Sequence, residues 1–137
     1  MILLDTHIWI WWTGHPELLS SGIRSLLNNA ALDANLYVSV VSIWEIATKA
    51  ARGKLRLTDL PEGMSAREWV ERASRTPGLT ILPLTQDVAL ESAELPPPFH
   101  RDPADRLIVA LARRKSATLV TDDRNILAYP HVKTRWG

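Results

Sequence analysis

Ile2-Leu3-Leu4-Asp5-Thr6-His7 decides how the rest of the chain is read. Three apolar residues run straight into a carboxylate. A short apolar run ended by a change of pattern predicts a strand buried on both faces. In an open α/β fold the carboxyl ends of the strands form the edge where ligands bind. Asp5 is therefore expected at the lip of a site, and the question becomes which other side chains reach the same edge.

Outward from that strand, Trp9-Ile10-Trp11-Trp12 predicts a short helix ended by the Gly14-His15-Pro16 turn. Leu19-Ser20 opens a second helix with Ile23, Leu26, Leu27, Ala30 and Ala31 at helical spacing. Leu36 to Val41 is rich in β-branched residues and predicts a second strand. A helix then starts at Ser42-Ile43-Trp44-Glu45 and stops at Gly53. Lys54 to Asp59 reads as an exposed, partly basic connection. Ser65 or a neighbour caps a helix carrying Trp69, Val70 and Ala73, and Leu79 to Leu82 forms a third strand. Gln86 to Leu95 is helical and is closed by Pro96-Pro97-Pro98. Asp102-Pro103 opens a strong helix through Ala112. Ala117 to Val120 is a fourth strand, and Tyr129 to Trp136 holds a short edge strand.

Strands alternating with helices predict an α/β fold: a central, mostly parallel sheet flanked by helices on both faces, in three layers. With 137 residues, no internal repeat and no long linker, residues 1–137 read as a single domain. At 46% hydrophobic and 23% charged residues, the composition excludes a disordered chain. A formal net charge of +1 gives no bulk case for nucleic-acid binding, so any such role depends on where the charges lie. The absence of cysteine excludes disulfides and thiolate metal sites and fits a reducing compartment. No signal peptide or membrane span is evident, and the expected location is cytoplasmic.

Four acids are expected at strand ends or helix starts: Asp5, Glu45, Asp105 and Asp123. Each has an ordinary explanation. Asp5 can cap the helix after it. Ser42-x-x-Glu45 has the form of a capping box. Asp102 before Pro103 suits an N-cap, with Asp105 in the favourable first turn. Asp122 or Asp123 can cap the short turn Arg124 to Ala128. Capping does not explain why all four reach one edge. Carboxylates held close together raise one another's pKa and persist when a cation neutralises them. An oxygen-only donor set points to a hard ion, Mg²⁺ or Mn²⁺, which also supports phosphodiester hydrolysis by an activated water.

These motifs resemble those of PIN-domain nucleases, and among them the VapC-type ribonuclease toxins of type II toxin–antitoxin systems. The likeness rests on Leu4-Asp5-Thr6-His7, on Ser42-Ile43-Trp44-Glu45-Ile46-Ala47 running to Gly53-Lys54-Leu55, on His100-Arg101-Asp102-Pro103-Ala104-Asp105-Arg106, and on Leu119-Val120-Thr121-Asp122-Asp123. It implies an Mg²⁺-dependent endoribonuclease, with Asp5 and Asp105 as main metal ligands and Glu45 and Asp123 completing the pocket. The products would carry a 5′-phosphate and a 3′-hydroxyl. Thr6, Asp102 and Asp122 fall at outer positions, and the register leaves Asp122 as an alternative to Asp123. It further implies a homodimer, a VapB-type antitoxin, an RNA substrate, and contact with operator DNA only through the antitoxin.

Around these acids, Arg101 and Arg106 are candidates for holding RNA phosphates, although Arg106 can equally pair with Asp102 or Asp105. Lys49, Arg52, Lys54 and Arg56 form a basic strip that is either a solvated face or a backbone contact. His7, His100 and His131 read as packing or surface residues, His100 being nearest the acids in sequence. Most of the six tryptophans are expected in the core or an interface. Two other functions fit the acids. A phosphatase would use Asp5 as nucleophile, but it commonly has a second aspartate where His7 stands. A non-catalytic co-repressor would use the acid pocket to dock an antitoxin arginine.

Overall fold

The computed structural model of the protein describes residues 1–53, 60–61 and 63–137. The basic connection expected over Lys54 to Asp59 lies outside them. Among the described residues, five strands form one sheet: β1 (Ile2–Leu4), β2 (Leu36–Ser39), β3 (Leu79–Leu82), β4 (Thr118–Val120) and β5 (Thr134–Arg135). Their order is β3-β2-β1-β4-β5, and every pairing is parallel. The first strand of the sequence thus lies at the centre, with Leu4 opposite both Val38 and Val120.

Alternation along the strands divides the core in two. Leu3 and Leu119 face one side, where they join Ile108, Leu111 and Ala112 of α6 (Pro103–Lys115) and Val88 of α5 (Gln86–Glu94). Leu4, Leu36, Val38 and Val120 face the other side. There they meet Ile8, Trp9 and Ile10 of α1 (Thr6–Gly14), Ile23 and Leu27 of α2 (Ser21–Leu32), and Trp69 of α4 (Ala66–Ala73). Helices on both faces give the three layers expected for a buried parallel sheet. The helix α3 (Val40–Ala51) sends Val41 to one cluster and Ile46 to the other, so it straddles the end of the sheet. A short helix α7 (Arg124–Ala128) follows β4.

Most boundaries fall where the sequence places them. The start of α3 does not. The strand expected to reach Val41 ends at Ser39, whose hydroxyl accepts from the Val41 N–H and caps the helix. Ser42 lies inside the first turn, so Ser42-x-x-Glu45 is not a capping box. Its pieces are used elsewhere.

Candidate active site

The sheet turns about β1: β2 and β3 lie to one side, β4 and β5 to the other. The crevice at the carboxyl ends of β1 and β4 is therefore the switch point of the sheet. Asp5 follows directly on β1 and Thr121 directly on β4. The two residues are 116 apart in sequence, yet the buried Thr121 hydroxyl donates to Asp5 Oδ2 at 2.7 Å. The backbone N–H of Thr6 donates to Asp5 Oδ1 at 2.8 Å, so Asp5 also caps α1. Asp5 thus caps α1 and also stands at the sheet edge. Asp123 is tied to the same pair, because its N–H donates to Thr121 Oγ1 at 3.0 Å. Asp123 Oδ1 in turn caps α7, accepting from the N–H groups of Asn125 and Ile126.

Glu45 lies past the first turn of α3 and reaches across to α1. The Thr6 hydroxyl is 2.6 Å from Glu45 Oε1 and 2.8 Å from Ser42 Oγ. A hydroxyl has one proton, so Thr6 donates to the carboxylate and accepts from Ser42. The other Glu45 oxygen pairs with Lys49 at 3.3 Å, one turn along the helix. On α6, Asp102 is the N-cap: its Oδ1 accepts from the Asp105 N–H at 3.0 Å, with Pro103 at the first helical position. Asp105 then leans over the sheet edge, as side chains in a first helical turn do. His100 Nε2 lies 3.1 Å from Asp105 Oδ2, within ion-pair distance but not aligned for a hydrogen bond.

The acids act on one another. Burial pushes the Asp105 carboxyl up to about 8, and the charges of Asp5, Asp102, Asp123 and Glu45 push it the same way. Burial also raises Asp5; the bonds from Thr121 and Thr6 pull against this, while Glu45 adds to it. Asp105 thus sits in the field of the other three acids expected at the edge. Asp123, rather than Asp122, contributes to that field.

The donor set is oxygen only, and it holds more negative charge than it can carry near neutrality without a countercharge. That fits a hard divalent ion. Among the described residues, no three carboxylate or imidazole groups already form a ready-made cage.

The basic candidates divide. Arg101 is exposed. Arg106 is engaged with backbone: its Nε donates to the Ser92 carbonyl at 2.9 Å and its Nη1 to the His100 carbonyl at 3.3 Å. It pairs with neither Asp102 nor Asp105, because α6 turns it toward α5. Lys49 is occupied by Glu45, and Lys54 and Arg56 lie outside the described residues. Sequence reasoning gave Thr121 and Ser42 no place in the site. Their signal was position: Thr121 ends a strand two residues before an acid, and Ser42 lies three residues before another.

Comparison with known proteins agrees with this fold. The chain belongs to the PIN domain family, whose sequence profile matches residues 2–132. Among characterised relatives, it is 32% identical over 133 residues to Ribonuclease VapC22 of Mycobacterium tuberculosis (strain ATCC 25618 / H37Rv), covering 95% of this chain and 92% of that protein. Its fold is similar to that in the crystal structure of FitAcB from Neisseria gonorrhoeae, with a TM-score of 0.68, 24% identity, and 98% and 96% of the two chains covered. It is also similar to the structure of VapBC2 from Rickettsia felis bound to a promoter DNA fragment, with a TM-score of 0.66, 20% identity and both chains covered in full. Among the described residues, no helix is long and apolar enough to cross a membrane.

Proposed function

We propose that this chain is a single PIN domain acting as a metal-dependent endoribonuclease, the toxin of a type II toxin–antitoxin pair. The observation that carries the reading is the meeting of Asp5, Glu45, Asp105 and Asp123 at the switch point, where burial first, and then the charges of the other acids, push Asp105 up to about 8. The similarity to a ribonuclease over nearly the whole chain supports RNA as substrate. The fold likeness to a VapBC complex supports a VapB-type antitoxin as partner, with operator DNA reached through the antitoxin. A homodimer and a cytoplasmic location, where RNA and antitoxin are met, complete the proposal.

Asp5 and Asp105 would hold Mg²⁺, with Mn²⁺ as a substitute. A bound divalent ion supplies Lewis acidity toward the phosphate and lowers the pKa of an attacking water. The protein's own groups do the rest. Thr121 and the Thr6 N–H fix both oxygens of Asp5. Thr6 and Lys49 hold Glu45 from its two sides, aiming it into the crevice. Asp123 would complete the acidic pocket, Asp102 sets the start of α6, and Asp122 would take an outer position. Arg101 is the exposed cation best placed for an RNA phosphate.

A phosphatase acting through Asp5 is disfavoured. Its carboxylate is buried with both oxygens already accepting hydrogen bonds, and His7 is exposed. The deciding experiment incubates RNA with the purified protein and Mg²⁺, beside Asp5→Asn. The variant is expected to lose cleavage while still binding the antitoxin. Cleavage by Asp5→Asn at the wild-type rate would overturn the assignment. Absence of cleavage by the wild type, with antitoxin binding intact, would favour a purely co-repressing role.

A further inference from the structure

Beside the acid pocket lies a second concavity of about 300 Å³, lined by Pro98, Phe99, His100, Asn125, Tyr129 and Pro130 among others. No carboxylate lines it. Its two walls come from the segments that bring Asp105 and Asp123 to the site, and each wall has one residue against one of those acids. His100 lies 3.1 Å from Asp105 Oδ2, and the backbone N–H of Asn125 is held by Asp123 Oδ1 at 2.8 Å. The cleft therefore lies next to the acids.

Its floor is a supported aromatic platform. The Phe99 ring lies 4.5 Å from the His100 ring and 4.5 Å from that of Tyr129. Tyr129 is buried, with its hydroxyl donating to the Pro96 carbonyl at 2.6 Å. The Arg106 guanidinium sits 6.0 Å from the centre of the Phe99 ring, so the half-buried Phe99 is braced from that direction as well. Asn125 is exposed, and among the described residues its amide makes no hydrogen bond. A free amide offers one donor group and one acceptor to a base edge. Arg101 and Arg124, both exposed, adjoin the two walls in sequence.

A platform for stacking, an unused amide and flanking cations are what single-stranded RNA readers present to an unstacked base. The volume is at the lower end for small-molecule sites, suited to one planar ring system. We propose that this cleft receives one nucleobase of the substrate strand, next to the scissile phosphate, with Phe99 as its stacking surface and Asn125 as the residue that discriminates between bases. The inference rests on the endoribonuclease reading above.

The test maps cut sites and kinetics on a library of single-stranded RNA oligonucleotides with Mg²⁺, for wild type, Phe99→Leu and Asn125→Ala. Leucine stays apolar but is smaller than Phe99, which packs against the core, so a modest fall in Tm is expected for Phe99→Leu and none for the exposed Asn125→Ala, and kinetics are read well below either melt. Phe99→Leu is expected to raise KM about tenfold with kcat nearly unchanged, the size of a lost stacking contact. Asn125→Ala is expected to flatten base preference at one position at a fixed offset from the cut. Wild-type KM and preference in both variants, with wild type cleaving, would overturn the subsite alone. So would variants that lose antitoxin capture with RNA preference unchanged, because the cleft would then belong to a protein partner. A wild type that cleaves no RNA would overturn the underlying reading, and the subsite with it.

Discussion

Thr121 is one hydroxyl with two obligations. It donates to Asp5 and accepts from the Asp123 N–H, so it sets two acids on adjacent strand ends with a single group. Thr121→Val keeps the shape and removes both bonds. Partners of this kind typically change metal affinity or activity by about 10- to 100-fold, and a loss of that size is expected by calorimetric Mn²⁺ titration and by RNA cleavage, with Thr121→Ser restoring most of it. Asp105 makes a second prediction, on pH. Its folded pKa of about 8 lies above the ordinary 3.8, so the unfolded chain releases this proton first. Its contribution to stability is full below about pH 4 and is lost as pH rises toward 8. Without divalent ions, this group alone makes Tm fall across that window. Added Mg²⁺ is expected to raise Tm more at pH 8 than at pH 5, as checked by thermal melts at matched ionic strength; equal shifts at both would contradict it. These couplings were only partly legible in the sequence. That acids would gather at one edge followed from their places after strands and at helix starts. That Lys49 would be taken by Glu45, and Arg106 by carbonyls, depends on how α3 and α6 are rotated, which a linear pattern does not specify.

At the scale of elements, α3 shows where local reading stops. Val40-Val41 continues a β-branched run, and nothing local separates it from β2. The helix nevertheless begins at Val40, because Ser39 is positioned to cap it and because Val41 and Ile46 then fill the core on opposite sides of the sheet. Tertiary packing overrides propensity here. The helices α2, α4 and α6 carry their own caps, Ser20, Ser65 and Asp102, and were legible for that reason. Ser39→Ala is expected to cost about 1 kcal/mol in urea unfolding, since it removes the only side-chain cap of α3 seen among the described residues. Gly78→Ala is expected to cost more. Gly78 has φ +85°, and an added Cβ would stand 1.9 Å from the Ala31 carbonyl oxygen at the end of α2. The left-handed backbone alone costs about 1–3 kcal/mol for a residue with a side chain. Because α2 would also have to move off the turn into β3, a loss of about 3 kcal/mol or more is expected in the same assay.

For the molecule as a whole, a formal charge of +1 leaves no strong long-range field to draw RNA in. Among the described residues near the acids, Lys49 and Arg106 are already engaged, and Arg101 and Arg124 are exposed beside the proposed cleft. The salt slope of single-stranded RNA binding, about −0.7 per phosphate neutralised, is expected to be shallower than about −2 when Asp5→Asn is titrated by fluorescence anisotropy. A steep slope would mean a basic surface larger than the one described. The parallel three-layer plan was legible because strand and helix patterns alternate; the order of the strands was not, since it depends on which edge each crossover chooses. That order has a temporal consequence. β1 is translated before the other described strands of the sheet, but it lies between β2 and β4, and the Asp5 carboxylate finds its Thr121 partner only 116 residues later. At about 5–20 residues per second, a growing chain spends several seconds with half of its central strand unpaired and no pocket at all. On the proposed activity, the ribosome translating this message is out of danger from that chain until Thr121 has been made and has reached Asp5.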